Sequence, residues 1–401
     1  MNQVKGQPEE ANNVKLIGHS DLNGWGDTMQ IEVRGKWCFV AASGLGTNGH
    51  EGTTVVDVED PSNPKVVAQL PAPPGTRSDK VQLIDDVMIV NSERHRDWEV
   101  SERFVPGLRL YDISNPAKPK FMRTFEMYGR GVHRALLDLD PQNRLSYCSC
   151  QAEGFVGDIL WILDMKDPAN PEVVSQGWLE GQHLAGGEKP YWEGESVHCY
   201  GAYRRGDHLF CGYWFGGLVV FDVKDLSKPE VVGQFNPTPP YPGKCHNAVP
   251  LPDSDLVVVT HESTSDDVSE PPGFLWIYDA RVPSNPVPIS TWNPYPLDPV
   301  SLYPREGDWT TRGGRYGAHN IWQGMTSKDF VYVCWFNAGL RIVDISDPFR
   351  PQEVGYYMPA GDDFGRPTPQ VNDVVVDERG LIYIADRCGG GLHILEYTGP
   401  R

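Results

Sequence analysis

Four histidines in the 401-residue chain open apolar segments of strand length: His133 in VHRALL, His198 in VHCYGAY, His246 in CHNAVPL and His319 in AHNIWQG. Neutral imidazole is the commonest side-chain ligand of a catalytic metal, and several rings at one level leave an ion its full charge and open coordination positions. The chemistry expected of such a set is activation of dioxygen or of a substrate oxygen by a divalent metal ion, with Fe(II) favoured and zinc or copper as alternatives. For any one histidine the competing reading is a ring bonded to a neighbouring strand or to water.

Other reactive groups fall near the ends of the same or following strands. Glu153 in CQAEGF, Glu195, His261 and Glu262 in VVTHES, Asp386 in IADRCGG and Asp27 in GWGDTMQ are candidates to orient a metal-bound imidazole or to act as acid or base, and Asp79 or Lys80 offers the same in TRSDKVQ. Trp214, Phe215, Trp335 and Phe336 end second strands and would wall an apolar pocket. Arg312, Arg315 and Tyr316 lie on the long connection 292–317, expected to act as a lid whose arginines anchor a carboxylate, phenolate or enolate. A solvated loop is the alternative there.

The elements that must position these groups come from an internal repeat. One unit recurs as TTVVDVEDPSNPKVVAQL, GLRLYDISNPAKPKFMRTF, DILWILDMKDPANPEVVSQ, GLVVFDVKDLSKPEVVGQF, FLWIYDARVPSNPVPISTW and GLRIVDISDPFRPQEVGYY, and GLHILEYTGP begins a seventh. The acidic residues in register are Asp57, Asp112, Asp164, Asp222, Asp279, Asp344 and Glu396. Each apolar run is strand-length, and the Asp, Asn, Ser and Pro behind it are turn formers, so each unit holds a hairpin with two further strands upstream. Four strands in each of seven units predict an all-β, seven-bladed β-propeller. The segment NVKLIGHSDL supplies the outer strand that the last unit lacks, so residues 13–401 form one domain closed by an N-terminal strand, behind a polar tail at 1–12. In this register His198 stands 24 residues before Asp222, His319 25 before Asp344, and Asn372 24 before Glu396.

The stretches VVDVEDP, LYDISNP and IVDISDP resemble the LVIVD-repeat family of β-propeller proteins, over nearly the whole chain. That resemblance implies the fold and leaves the activity open. The four histidines are similar to the axial metal sites of carotenoid-cleavage oxygenases and, more loosely, to the histidine-lined site of selenium-binding-protein-type methanethiol oxidases. The likeness reaches those four residues alone. It implies oxidation or oxidative cleavage of an aromatic or terpenoid-sized molecule. A Lewis-acid hydrolase, lyase or isomerase, and a non-catalytic propeller that binds a protein, stand beside it.

A formal charge of −19 argues against nucleic acid and anionic membrane surfaces as partners. A small-molecule substrate is the expected partner, and the sequence sets no oligomeric state. The first residues lack the basic and apolar segments of a signal peptide, and no apolar run reaches the roughly 18 residues of a membrane span. Eight cysteines without CxxC spacing read as reduced thiols of a cytosolic protein.

Overall fold

The computed structural model describes residues 8–44, 51–95, 99, 102, 104–194, 197–238, 241, 243–266, 270, 273–294, 313–360, 368–387 and 389–400. The chain forms two compact units. The first comprises Met1–Ala72, Thr260–Leu275 and Ser290–Arg401, and the second Pro73–Val259 and Trp276–Ile289. Secondary structure is all strand apart from two short 3-10 turns among the described residues. No helix among them is long and apolar enough to cross a membrane.

The first unit contains three four-stranded antiparallel sheets. Thr28–Arg34, Trp37–Ala42, Gly52–Asp57 and Lys65–Pro71 follow one another in the first of these. In the second, Val371–Val376, Leu381–Asp386 and Gly391–Tyr397 are completed by Val14–Ser20, which pairs with the last of them. The third orders Phe330–Cys334, Leu340–Asp344, Gln352–Pro359 and Pro8–Asn12. Pro8–Asn12, in the segment read as a polar tail, is thus a strand on the outer edge of a sheet.

In the second unit, Val132–Leu137, Leu145–Cys150, Ile159–Asp164 and Glu172–Gly177 make one sheet. Thr76–Arg77 and Val81–Ile84 both pair with Val87–Arg94, which leads to Gly107–Asp112 and Lys120–Glu126. His198–Arg205, His208–Trp214, Gly217–Asp222 and Glu230–Phe235 form a further four. A single pairing, Trp214 with Lys244, carries this sheet on into Lys244–Pro250, Leu256–Glu262, Leu275–Asp279 and Val287–Trp292.

The repeated residues explain these sheets. Each in-register aspartate accepts the backbone N–H two residues on, at 2.8–3.0 Å, from Glu59, Ser114, Lys166, Lys224, Arg281 and Ser346. The carboxylate thereby closes an Asx turn that starts the reversal into the outer strand. Glu396 departs from the pattern and pairs with Lys15 at 2.5 Å. The glycine that opens several third strands is also required. Gly217 and Gly339 have φ of 79° and 76°, and a Cβ on either would collide with an outer-strand carbonyl, that of Phe235 or Tyr357.

The third strands read as continuous apolar runs because both faces are buried. Along Gly217–Asp222, Val219 and Phe221 enter one core cluster while Leu218 and Val220 enter another. Alternation with a period of two therefore feeds two cores from one strand, each buried side chain contributing about 1.5–3 kcal/mol.

Candidate functional site

Where the first strand of a blade opens, the ladder carries a bulge that fixes which side chain occupies its extra position. The register shifts fall between Thr28 and Gln30, Val132 and Arg134, Cys199 and Gly201, and Val371 and Asp373. The residues at this position are therefore Met29, His133, Tyr200 and Asn372. His319 meets the same geometry, its N–H going to the Cys334 carbonyl while the Cys334 N–H goes to the Asn320 carbonyl. The Lys80 carbonyl accepts from Asn91 at 3.3 Å, which puts Asp79 at the corresponding place in its own sheet. His198 stands two residues before the bulged position, and Tyr200 occupies it.

In the second unit, His133 Nδ1 lies 3.0 Å from Glu93 Oε2. With the proton on Nδ1 donated to that carboxylate, Nε2 keeps its lone pair; it is buried and has no hydrogen-bond partner among the described residues. Glu93 also forms ion pairs with Arg130, whose Nε lies 3.2 Å from Oε1, and with Arg77, whose Nη1 lies 3.7 Å from Oε2. Burial by itself would raise its carboxyl, but His133, Arg77 and Arg130 hold it down to about 2. The His133 ring packs on Tyr200, with centroids 4.6 Å apart, and Tyr200 packs on His246 at 4.2 Å. Tyr200 is stacked in parallel on Trp214 at 5.2 Å, with Lys244 Nζ 5.8 Å from the indole.

His198 has a different environment. Its Nδ1 accepts the Asp158 N–H at 3.2 Å, so Nδ1 carries no proton and the ring's N–H is on Nε2. Asp158 in turn takes Arg130 Nη2 at 2.7 Å. Asp79 accepts Arg77 Nε at 2.7 Å, Lys80 Nζ at 3.0 Å and Asn91 Nδ2 at 3.1 Å. These cations outweigh burial and hold Asp79 well below the usual carboxylate range. Burial, against the pull of Asp79, brings the Lys80 ammonium down to about 8.

In the first unit, His319 Nδ1 donates to the Asn372 carbonyl at 2.7 Å, and Nε2 lies 3.7 Å from Glu262 Oε1. Arg315 Nη1 holds the same Glu262 oxygen at 3.1 Å, and Arg315 Nε reaches Asp266 at 3.4 Å. Phe336 packs on His319 at 4.6 Å from a left-handed backbone, φ 37°, with the Arg315 and Arg387 guanidinium groups 5.6 and 6.0 Å from its ring. His261 is fully buried, and burial lowers it to about 3, so it is neutral. Asp27 Oδ2 accepts Ser43 Oγ at 2.5 Å.

The remaining sequence candidates divide. Glu153 is exposed on its loop. Glu195, Arg312 and the lid segment 295–312 lie outside the described residues. Tyr316, Trp335 and Phe336 are buried to 1% exposure or less and serve as packing, whereas Trp214 and Phe215 are half-buried. Sequence reasoning missed Glu93, Asp158 and Tyr200. Glu93 ends a second strand, the criterion that selected Glu262, so its signal was present. Tyr200 carried none, because a bulge leaves no mark in a spacing count.

Comparison with known proteins agrees with the repeat. Residues 25–70, 106–126, 205–237 and 321–359 match the LVIVD repeat family. Among solved structures, a Lactobacillus plantarum protein aligns at 13% identity over 87% of this chain and 88% of its own, with a TM-score of 0.61. A hypothetical selenium-binding protein from Sulfolobus tokodaii aligns at 14% identity over 96% and 94%, with a TM-score of 0.57. A chain of a mitotic checkpoint complex aligns at 12% over 99% and 93%, at 0.54. At these identities the likeness concerns the fold alone. A search of curated proteins found no match.

Proposed function

Because the chain carries LVIVD repeats on a β-propeller-like scaffold, one that hosts unrelated chemistries, we propose its function from the side chains at the bulged position: a metal-dependent enzyme acting on a small molecule. The observation that carries this reading is His133. Its Nδ1 is tied to a buried carboxylate and its Nε2 is a buried lone pair without a partner among the described residues, the arrangement by which proteins present imidazole to a metal. His246, whose ring also packs on Tyr200, is the companion ligand of this proposal in the second unit. His319 occupies the bulged position of its own sheet with Nδ1 tied to a carbonyl, and belongs to the same proposal.

A bound Fe(II) would supply activation of dioxygen or of a substrate oxygen, and zinc or copper would supply Lewis-acid or redox chemistry instead. The protein's own groups do the rest. Glu93 holds the His133 tautomer, Arg77 and Arg130 hold Glu93, and Lys80 Nζ can give or take a proton near neutral pH. The half-buried Trp214 and Phe215 offer aromatic surface to an aromatic or terpenoid-sized substrate.

The proposal includes a seven-bladed count with Val14–Ser20 as the closing strand, supported by its pairing with Gly391–Tyr397. It also includes a cytosolic setting, supported by seven described cysteines that are all unpaired.

Elemental analysis of chain purified without chelator tests the reading. We expect bound transition metal, its content lowered in His133→Ala, His246→Ala and His319→Ala and kept in His198→Ala. A metal-free parent, or unchanged content in all four variants, removes the enzyme reading and leaves a binding scaffold.

A further inference from the structure

A second group of ligating side chains lies in the first unit, and its donors are all oxygen. Asp27, Ser43 and Glu51 are 3%, 2% and 4% exposed. Asp27 Oδ2 accepts Ser43 Oγ at 2.5 Å, and the Ser43 N–H returns to the Asp27 carbonyl at 3.0 Å. The Asp27 N–H in turn holds the Glu51 carboxylate beside it. Glu51 Oε2 is buried and has no hydrogen-bond partner among the described residues. A carboxylate oxygen in that position costs about 1–3 kcal/mol or more in desolvation unless something occupies it.

We propose that Asp27, Ser43 and Glu51 bind a hard divalent cation of the Ca2+ or Mg2+ class. Two carboxylates and a hydroxyl are the ligands such ions take, and an all-oxygen set suits them better than the softer metals that imidazole favours. The charges acting on Glu51 agree: burial and then Asp27 raise its carboxyl to about 7, and no lysine or arginine of the described residues is among them. A proton stands in for the cation when none is bound.

The test is titration calorimetry of the chelator-treated full chain at pH 8 with CaCl2, MgCl2 and MnCl2, together with thermal unfolding in each. We expect saturable one-to-one binding that raises Tm. Glu51→Gln and Asp27→Asn should weaken it roughly tenfold or more, because affinity in oxygen sites follows the number of charged ligands. Circular dichroism establishes that each variant folds. Should either carboxylate variant fail to fold, Ser43→Ala, which removes a neutral ligand, should still weaken binding. His133→Ala keeps this binding whatever it does to the imidazole-held metal, so the two proposals fail separately. The absence of saturable binding by the folded parent, or binding unchanged in the variants, overturns the assignment and leaves Glu51 as a buried carboxyl raised by burial and Asp27.

Discussion

His133 and His198 differ in which ring nitrogen carries the proton, and that difference decides what each can do. Glu93 takes the Nδ1 proton of His133 and frees Nε2, whereas the Asp158 N–H occupies Nδ1 of His198. Glu93→Gln should therefore lower metal affinity by about 10- to 100-fold in a folded protein, the usual cost of losing a ligand's orienting partner. Competition against a chromophoric chelator measures it. Equal affinity would make Glu93 only a counter-ion for Arg77 and Arg130. His261 gives a pH dependence. Its folded value, about 3, lies below the usual 6.5, so the unfolded chain takes up a proton that the folded chain refuses as pH falls. Stability is then unaffected above about 6.5 and lost between there and about 3, at up to about 1.4 kcal/mol per pH unit. Urea unfolding at pH 7, 6 and 5 should show a shallower loss in His261→Gln, and an identical slope would mean that the buried ring is protonated.

At the scale of the element, the hairpin and the bulge divide the labour. The repeated aspartates close turns at the ends of third strands, so their conservation of position across repeats is structural. Asp222→Ala removes the acceptor for the Lys224 N–H and should cost about 1 kcal/mol, while Asp222→Asn, which keeps a side-chain oxygen, should cost less. The denaturation midpoint of the two variants checks this, and equal losses would point to charge in place of the turn bond. The bulge does the positioning. Two residues facing one across the ladder aim His133 and Tyr200 where regular alternation would not.

At the scale of the whole molecule, the N-terminal strand Val14–Ser20 joins a sheet whose other strands lie more than 340 residues away. Val14 and Leu16 enter one core cluster of the first unit and Ile17 another. Deleting residues 1–20 should cost at least about 3 kcal/mol, two or three buried aliphatic side chains, and break cooperative unfolding of that unit. Deleting residues 1–12 removes only an edge strand and should shift the midpoint less. Calorimetry separates the two, and unchanged cooperative melting after the longer deletion would sink the proposed closure.

By itself, the sequence determined the repeat, the all-β class, the turn role of Asp57 through Asp344 and the place of His133 at the head of the strand Val132–Leu137, whereas His319 lies outside the assigned strands. These are local properties: alternation with period two, and turn chemistry two residues long, are written in consecutive residues. Tertiary structure alone decided that Tyr200 and not His198 takes the bulged position of its ladder, that Glu93 meets a histidine 40 positions on, and that Trp335 and Phe336 are packing. One extra residue in a bulge reassigns every side chain after it, and burial is set by neighbouring strands that no count of spacing contains.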